Sequence, residues 1–493
     1  MKIYKNHCII NLFVFCAIFD FLQIEVEAKN EKISKRPNIV FIMADDLSWS
    51  DPAYNGNEFY QTPHIDKLAV AGMKFNRAYS GGPNCLPTRA CLISGMYTPR
   101  TQIWTPGGKS KGQTKYMKLD VIRNGSQGSI PSKTALDGSV VSIAETVKKA
   151  GYITARFGKW HVGSDTQGFD ISDPNGKGGN IGSKYYGNID VHEWLTDASV
   201  KFIKNNKEKP FFLYVSHWDV HTPIRARKEV VEKHNERLKS KKWSRPWNTT
   251  YSAMIEAVDI SVGRIRACLK ENDLEENTLF IFTSDNGGFS GATTNKPLKA
   301  SKGALYEGGV RVPMLMAWPK TIVAGSENNT PVTSVDFLPT FADLTGAPLP
   351  SKQPVDGKSI VGLMKGESIL SDRAIYWHYP LYLQGGGEGK VIPINGTKSN
   401  YWRATPASMI VKGDWKLIHF FEDNSIELYN LNKDLSENNN LALSDTEKAK
   451  SMFAELKIWQ KETTAAIPTK LNPEFDPKAQ DEKKNKKRRK KTK

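Results

Sequence analysis

Four short apolar runs, each breaking into charged or polar residues at its carboxyl end, constrain this chain more than any other feature. NIVFIM leads into Ala44-Asp45-Asp46, TLFIFTS into Asp285-Asn286-Gly287-Gly288, PFFLYVS into His217 and His221, and YITARFG into Lys159, Trp160 and His161. A strand with one wet face alternates apolar and polar residues. Unbroken apolar runs separated by helical stretches instead predict central strands of a largely parallel sheet, covered on both faces. Ligands of such sheets bind beyond the carboxyl ends of the strands. The four runs deliver two acids, an acid with an amide, two histidines and a Lys-x-His to that one edge.

The intervening segments read as helices. TPHIDKLAVAG has Thr62 as N-cap, Pro63 at the first helical position and Gly72 as terminator. GSVVSIAETVKKAG turns Val141, Ile143, Ala144 and Val147 inward, and YSAMIEAVDISVGRIRACLKEN predicts a longer amphipathic helix. Texture changes near Pro350. Beyond it Lys412-Gly413-Asp414 and Glu422-Asp423-Asn424 break strand-like runs as in an antiparallel meander, and TEKAKSMFAELKIWQKE closes with a helix. The expected organisation is a leader over 1–28, a catalytic α/β domain over 36–365, a smaller α+β domain over 366–468 and a basic disordered tail over 469–493, with no internal repeats.

The leader carries Lys2 and Lys5, an apolar stretch and the small-residue sequence VEA ending at Ala28, which predicts export to the periplasm or medium. The alternative is a retained anchoring helix, for which the apolar run is short; no other segment predicts an integral membrane span. Export leaves Cys85, Cys91 and Cys268, too few for a disulfide scaffold. Cys91 and Cys268 either pair or sit inertly in the core. The net charge of +17 divides into +7 from residues 481–493 and +10 from the remainder. That balance suggests an anionic substrate or matrix rather than nucleic acid, for which no motif appears. The sequons at Asn124, Asn248, Asn328 and Asn395 carry little weight in an asparagine-rich chain.

NCLPTRACLISG places Cys85 at a helix amino terminus, with Pro87 in the first turn, Arg89 one turn on and Gly95 as terminator. The helix dipole and Arg89 favour an anion there. A thiolate nucleophile fits this description, but a cysteine enzyme calls for a nearby histidine and no metal. Asp45, Asp46, Asp285 and the amide of Asn286 are instead hard oxygen donors, suited to Ca²⁺ or Mg²⁺.

CLPTR followed by ACLISG resembles the signature of the type I sulfatases, and FIMADDL, GKWHVG, HTP, TSDNGG and KGALYEGGVRVP follow in that family's order. The resemblance, closest to bacterial polysaccharide sulfatases, covers nearly the whole mature chain; Thr88 stands where serine is commoner, and keeps the hydroxyl. It implies an alkaline-phosphatase-like fold: a mixed, mainly parallel sheet between helices, with a smaller C-terminal domain carrying an antiparallel sheet. It also implies oxidation of Cys85 to Cα-formylglycine (3-oxoalanine) by a maturation enzyme, and one Ca²⁺, ahead of Mg²⁺, on Asp45, Asp46, Asp285, Asn286 and the modified residue 85. By the same resemblance the hydrated aldehyde attacks sulfur. His161 orients it and assists release of sulfate, His221 protonates the leaving oxygen, Lys159 and Lys302 hold sulfate oxygens, and Arg89 stabilises the diol and the metal ligands.

His217, Trp377, His378 and Arg403 are further candidates for substrate contact, each with a structural alternative. Gly-rich, cationic segments at 105–128 and 383–403 are expected to roof the site and to favour a sulfated oligo- or polysaccharide. An algal polymer, ulvan or carrageenan, is the expected substrate, ahead of a glycosaminoglycan. The rival functions are a phosphoester or phosphonate hydrolase of the same fold and a non-catalytic protein that binds sulfated glycans.

Overall fold

A computed structural model describes residues 36–106, 130, 132–163, 167–172, 188–367, 370–384 and 402–469. The leader, most of both Gly-rich segments and the basic tail lie outside the described residues.

The four apolar runs form adjacent parallel strands. Asn38–Ala44 sits between Phe211–Ser216 and Thr278–Ser284, and Ile153–Gly158 pairs outside Phe211–Ser216. The eight-stranded sheet runs Ile171–Ser172, Ile153–Gly158, Phe211–Ser216, Asn38–Ala44, Thr278–Ser284, Met314–Ala317, Met73–Phe75, Ser326–Asn328. Met314–Ala317 is antiparallel to both neighbours, which makes the sheet mixed. Burial explains why these runs are unbroken. Ile39, Phe41 and Met43 face a layer built on helices Cys85–Ser94, Ile143–Lys148 and Phe337–Thr345. Val40, Ile42 and Ala44 face a layer built on Pro63–Ala71, Val191–Asn205 and Thr249–Glu271. Both faces of one strand are therefore dry, and neither tolerates a polar residue.

Two helices differ in detail from expectation. The helix near residue 143 is shorter than its apolar rhythm, because Ser142 and Glu145 close a reciprocal capping box that starts it there; Val141 stays outside it. Thr62 flanks Pro63–Ala71, but its hydroxyl donates to Asp66 and accepts from the Ala53 N–H instead of capping. Gly72 is required by proximity, since a Cβ there would stand 2.2 Å from the Met316 carbonyl oxygen.

The C-terminal sheet is the expected antiparallel meander, Ala374–Tyr379, Ala407–Lys412, Trp415–Phe420 and Ile426–Asn430, followed by the helix Thr446–Glu462. Its core continues into Tyr79, Cys91, Tyr306 and Val310 of the preceding region. Cys85, Cys91 and Cys268 are all free and buried, which settles the pairing question in favour of inert core thiols at Cys91 and Cys268. Among the described residues no helix is long and apolar enough to cross a membrane.

Candidate active site

The strand-end loops are tied to one another before any side chain acts. Asp285 N–H donates to Ala44 O at 3.2 Å, His217 N–H to Met43 O at 2.9 Å, and Lys159 N–H to Ser216 O at 2.8 Å. The loop bearing Lys302 is brought in by glycine: a Cβ on Gly287 would lie 1.9 Å from Gly308 O, so DNGG and EGG meet backbone to backbone.

At this edge three buried acids are matched by three cations. Arg89 donates to Asp285 Oδ2 from Nε at 3.0 Å and Nη2 at 2.7 Å, with both side chains fully buried. Its Nη1 reaches Lys159 O at 3.1 Å and also bonds Ser216 Oγ. Lys159 pairs with Asp45, and Lys302 Nζ lies 2.6 Å from Asp46 Oδ1. Burial disfavours the charge on Lys159, yet Asp45 holds its ammonium above the ordinary lysine value. Burial, then Lys159 and Arg89, hold His161 well below the usual imidazole range, and His161 sits at φ 71° just after Lys159. Cys85 opens its helix, with Sγ 3.3 Å from Asp45 Oδ1 and 3.8 Å from Asp46 Oδ1.

These residues fit a hard divalent cation. Donors sharing one Ca²⁺ at about 2.3–2.6 Å must lie within about 5 Å of one another. One ligand atom each from Asp45, Asp46, Cys85 and His221 meets that condition, all within 4.8 Å. Asn286 donates through Nδ2 to Asp46 Oδ1 at 2.7 Å and leaves Oδ1 buried without a partner, a costly arrangement for an amide oxygen unless a ligand takes it. Asp285 stands slightly apart, with Oδ1 accepting from the Asp46 N–H at 3.1 Å and Oδ2 engaged by Arg89. His221 occupies the fourth place in the group. Its Nδ1 lies 2.6 Å from Thr222 O, which leaves Nε2 3.7 Å from Asp46 Oδ2.

Two expected substrate contacts are corrected. His378 is 1% exposed, with Nδ1 2.6 Å from Ser408 Oγ and Nε2 2.9 Å from Ala466 O, so both ring nitrogens serve C-terminal packing. His217 is fully buried, and the charged group that acts on it is His192, not the acidic cluster; burial pushes it down to about 3. Trp377 is buried and donates to Ser80 O at 2.7 Å. Arg403 packs against the loop that carries Lys302. Its Cδ would lie 2.9 Å from a Cβ on Gly303, beside Lys302. Sequence reasoning missed Tyr379, whose neighbours are Thr105, Arg403 and Asn84. Strand alternation was the available signal, because Tyr379 shares a face with Trp377 and opposes His378.

Comparison with known proteins bears on this geometry. The Sulfatase family profile matches residues 37–347, and the profile described as N-sulphoglucosamine sulphohydrolase, C-terminal, matches residues 300–464. A sulfatase of Formosa agariphila is 32% identical over 86% of this chain and 88% of its own length. N-acetylgalactosamine-6-sulfatase of Mus musculus is 29% identical over 69% of this chain and 68% of its own. The crystal structure of Ps i-CgsB in complex with k-i-k-neocarrahexaose superposes with a TM-score of 0.67 at 28% identity, covering 88% of this chain and 95% of the other. The profile spans well over half of the chain and the Formosa agariphila relative matches most of both lengths, so the chain belongs to the sulfatase family and hydrolyses sulfate esters.

Proposed function

We propose that the enzyme removes sulfate from a marine algal polysaccharide or its oligosaccharides, carrageenan or ulvan, after export through the 1–28 leader to the periplasm or medium. The observation that carries the substrate reading is the likeness, along most of both chains, to Ps i-CgsB bound to a neocarrahexaose. A second reading, a glycosaminoglycan sulfatase, is favoured by the likeness to N-acetylgalactosamine-6-sulfatase.

In this reading Cys85 is oxidised by a maturation enzyme to Cα-formylglycine. The hydrated aldehyde supplies an oxygen nucleophile and a second hydroxyl through which sulfate is released by C–O cleavage. Asp45, Asp46, Asp285, Asn286 and residue 85 would hold a Ca²⁺, which would supply Lewis acidity there. Arg89 fixes Asp285 and the Lys159 carbonyl, and so holds the shape of the acidic cluster. Lys159 and Lys302 are the cations placed to take sulfate oxygens. His161, held neutral by burial and the adjacent cations, is suited to accept a proton from residue 85. His221 keeps one ring nitrogen on Thr222 O and turns the other toward Asp46, and it is assigned as the acid for the leaving sugar oxygen. The catalytic part is assigned to 36–365 and the C-terminal part to 366–468.

The test is incubation of matured enzyme with carrageenan, ulvan, heparin and chondroitin oligosaccharides, following free sulfate by ion chromatography. Release from carrageenan or ulvan is expected. Release from glycosaminoglycans alone would move the assignment to the second reading.

A further inference from the structure

Three polar groups beside residue 85 have no work to do in the chemistry described above. Asn84 stands at the N-cap of the Cys85–Ser94 helix, yet its side chain makes no capping bond. An asparagine there ordinarily accepts from the first turn and contributes about 1 kcal/mol. Here the residue is 3% exposed and its Nδ2 has no hydrogen-bond partner among the described residues. Tyr379, 1% exposed, turns its hydroxyl toward Asn84 and Thr105, yet closes no hydrogen bond of ordinary length with either among the described residues. A buried donor left without an acceptor costs about 1–3 kcal/mol, so two side by side point to a ligand that supplies one.

Arg403 completes the group. Its guanidinium lies over the Phe289 ring, 5.2 Å from the centroid, a contact that holds a cation in place without cancelling its charge. The carboxylate that acts on it among the described residues is Asp46, already matched by Lys302. Asp45 and Asp285 are likewise matched by Lys159 and Arg89. Arg403 is therefore the surplus cation of this edge of the site among the described residues, and it lies against Gly303, next to Lys302.

We propose that Asn84, Tyr379 and Arg403 form a recognition pocket for a second anionic oxygen group, a carboxylate or another sulfate, carried by the saccharide next to the sulfate ester that is cleaved. An amide N–H, a phenol O–H and a guanidinium fork make a donor-rich group, in which the acceptors are the phenol oxygen and the Asn84 carbonyl oxygen. That complement suits an oxyanion better than a sugar hydroxyl, which must also donate. Because Asn84 is covalently next to residue 85, the group recognised belongs to the reacting sugar or its immediate neighbour. The pocket thus selects saccharides that carry two acidic groups. This inference rests on the saccharide reading of the preceding subsection.

The experiment separates the two. The catalytically silent Cys85→Ala protein, with and without Arg403→Gln or Tyr379→Phe, is titrated calorimetrically with three saccharides of one backbone: singly sulfated, doubly sulfated, and singly sulfated with a uronate. Cys85→Ala alone should bind one of the two dianionic sugars at least about tenfold more tightly than the monoanionic one, the difference of one charged hydrogen-bonded contact. Arg403→Gln should erase that preference and Tyr379→Phe should reduce it severalfold, while binding of the monoanionic sugar changes less than about twofold. Which dianion loses affinity identifies the group as sulfate or carboxylate. Equal affinity for all three sugars, or an equal loss on all three in the variants, would overturn the pocket. Failure of the active enzyme to release sulfate from any saccharide would overturn the functional reading instead, independently of the binding result. Thermal unfolding of each variant confirms that the fold is intact.

Discussion

Replacing Lys416 by methionine tests how the C-terminal sheet is fastened to the region that carries Lys302. Lys416 Nζ lies 3.0 Å from Glu307 Oε1 and 2.7 Å from Glu437 Oε1, and all three side chains are fully buried. Glu307 has other support, Arg311 Nε at 3.0 Å and the Tyr79 hydroxyl at 3.1 Å. Once Lys416 is gone, Glu437 keeps only the Glu307 N–H among the described residues, 2.8 Å from Oε2. Methionine conserves most of the apolar bulk but leaves two buried carboxylates sharing one cation. Removing one partner of a buried pair costs about 3–5 kcal/mol. Proton uptake by Glu437 limits the loss, because burial already pushes that carboxyl above its ordinary 4.5, and Lys416 opposes the rise more than the Glu307 N–H does. The sign follows from linkage: the folded state binds the Glu437 proton more tightly than the unfolded chain, so stability falls as pH rises from 4.5 through the folded value. Without Lys416 the folded value climbs further and the fall extends to higher pH. Urea unfolding followed by tryptophan fluorescence should therefore show a deficit of about 3–5 kcal/mol near pH 8 that shrinks toward pH 5.5, and Glu437→Gln in the same chain should recover part of it near pH 8. A deficit below about 1 kcal/mol, or one that does not change with pH, would refute the reasoning. Lys299 Nζ also donates to Glu437 O at 2.9 Å, so both ends of the Lys302 loop hang on this cluster.

Other outcomes are expected from the same structure. Cys85→Ser should lower sulfate release by on the order of a thousandfold or more, since a serine ester lacks the second hydroxyl; peptide mass spectrometry of active parent enzyme should show residue 85 oxidised, not a thiol. Chelation should abolish activity and lower the thermal midpoint, with recovery on Ca²⁺ and none on Zn²⁺; full recovery on Zn²⁺ would contradict the oxygen-donor assignment. Asp285→Asn is the informative variant there, because Asp285→Ala would also strand the fully buried Arg89. Burial holds His378 down to about 4 against 6.5. The unfolded chain takes up that proton first as pH falls, so His378 should account for about 3 kcal/mol lost between pH 6.5 and about pH 4, and urea midpoints of His378→Gln should fall less steeply over that range.

What the sequence disclosed, and what it withheld, follows from the range of the forces involved. The parallel core was legible because burial on both faces leaves an unbroken apolar run, as in NIVFIM and TLFIFTS, and the C-terminal meander because KGD and EDN punctuate it. Asp45, Asp46, Asp285 and Asn286 were legible because the sheet itself carries strand ends to one edge. The histidines were harder. His217 follows its strand immediately, but whether its side chain turns toward the acids or toward His192 depends on packing against the Val191–Asn205 helix, which no spacing reports. His378 was singled out for its chemistry, whereas in a strand the alternation decides: Trp377 and Tyr379 share a face, and His378 takes the opposite one against Ser408. The same alternation delivers Tyr379 to Asn84, roughly 300 residues away in the chain, and to Arg403. Such a juxtaposition is invisible to motif reading because each partner is unremarkable alone: an N-cap asparagine, a strand tyrosine and an arginine in a second, short strand. Only the tertiary fold reveals that the amide N–H and the phenol close no hydrogen bond of ordinary length among the described residues and that the arginine lies over Phe289. The candidate reacting centre is written in local motifs, while the proposed recognition group draws on the Asn84 N-cap, the C-terminal sheet strand of Tyr379 and the short strand of Arg403.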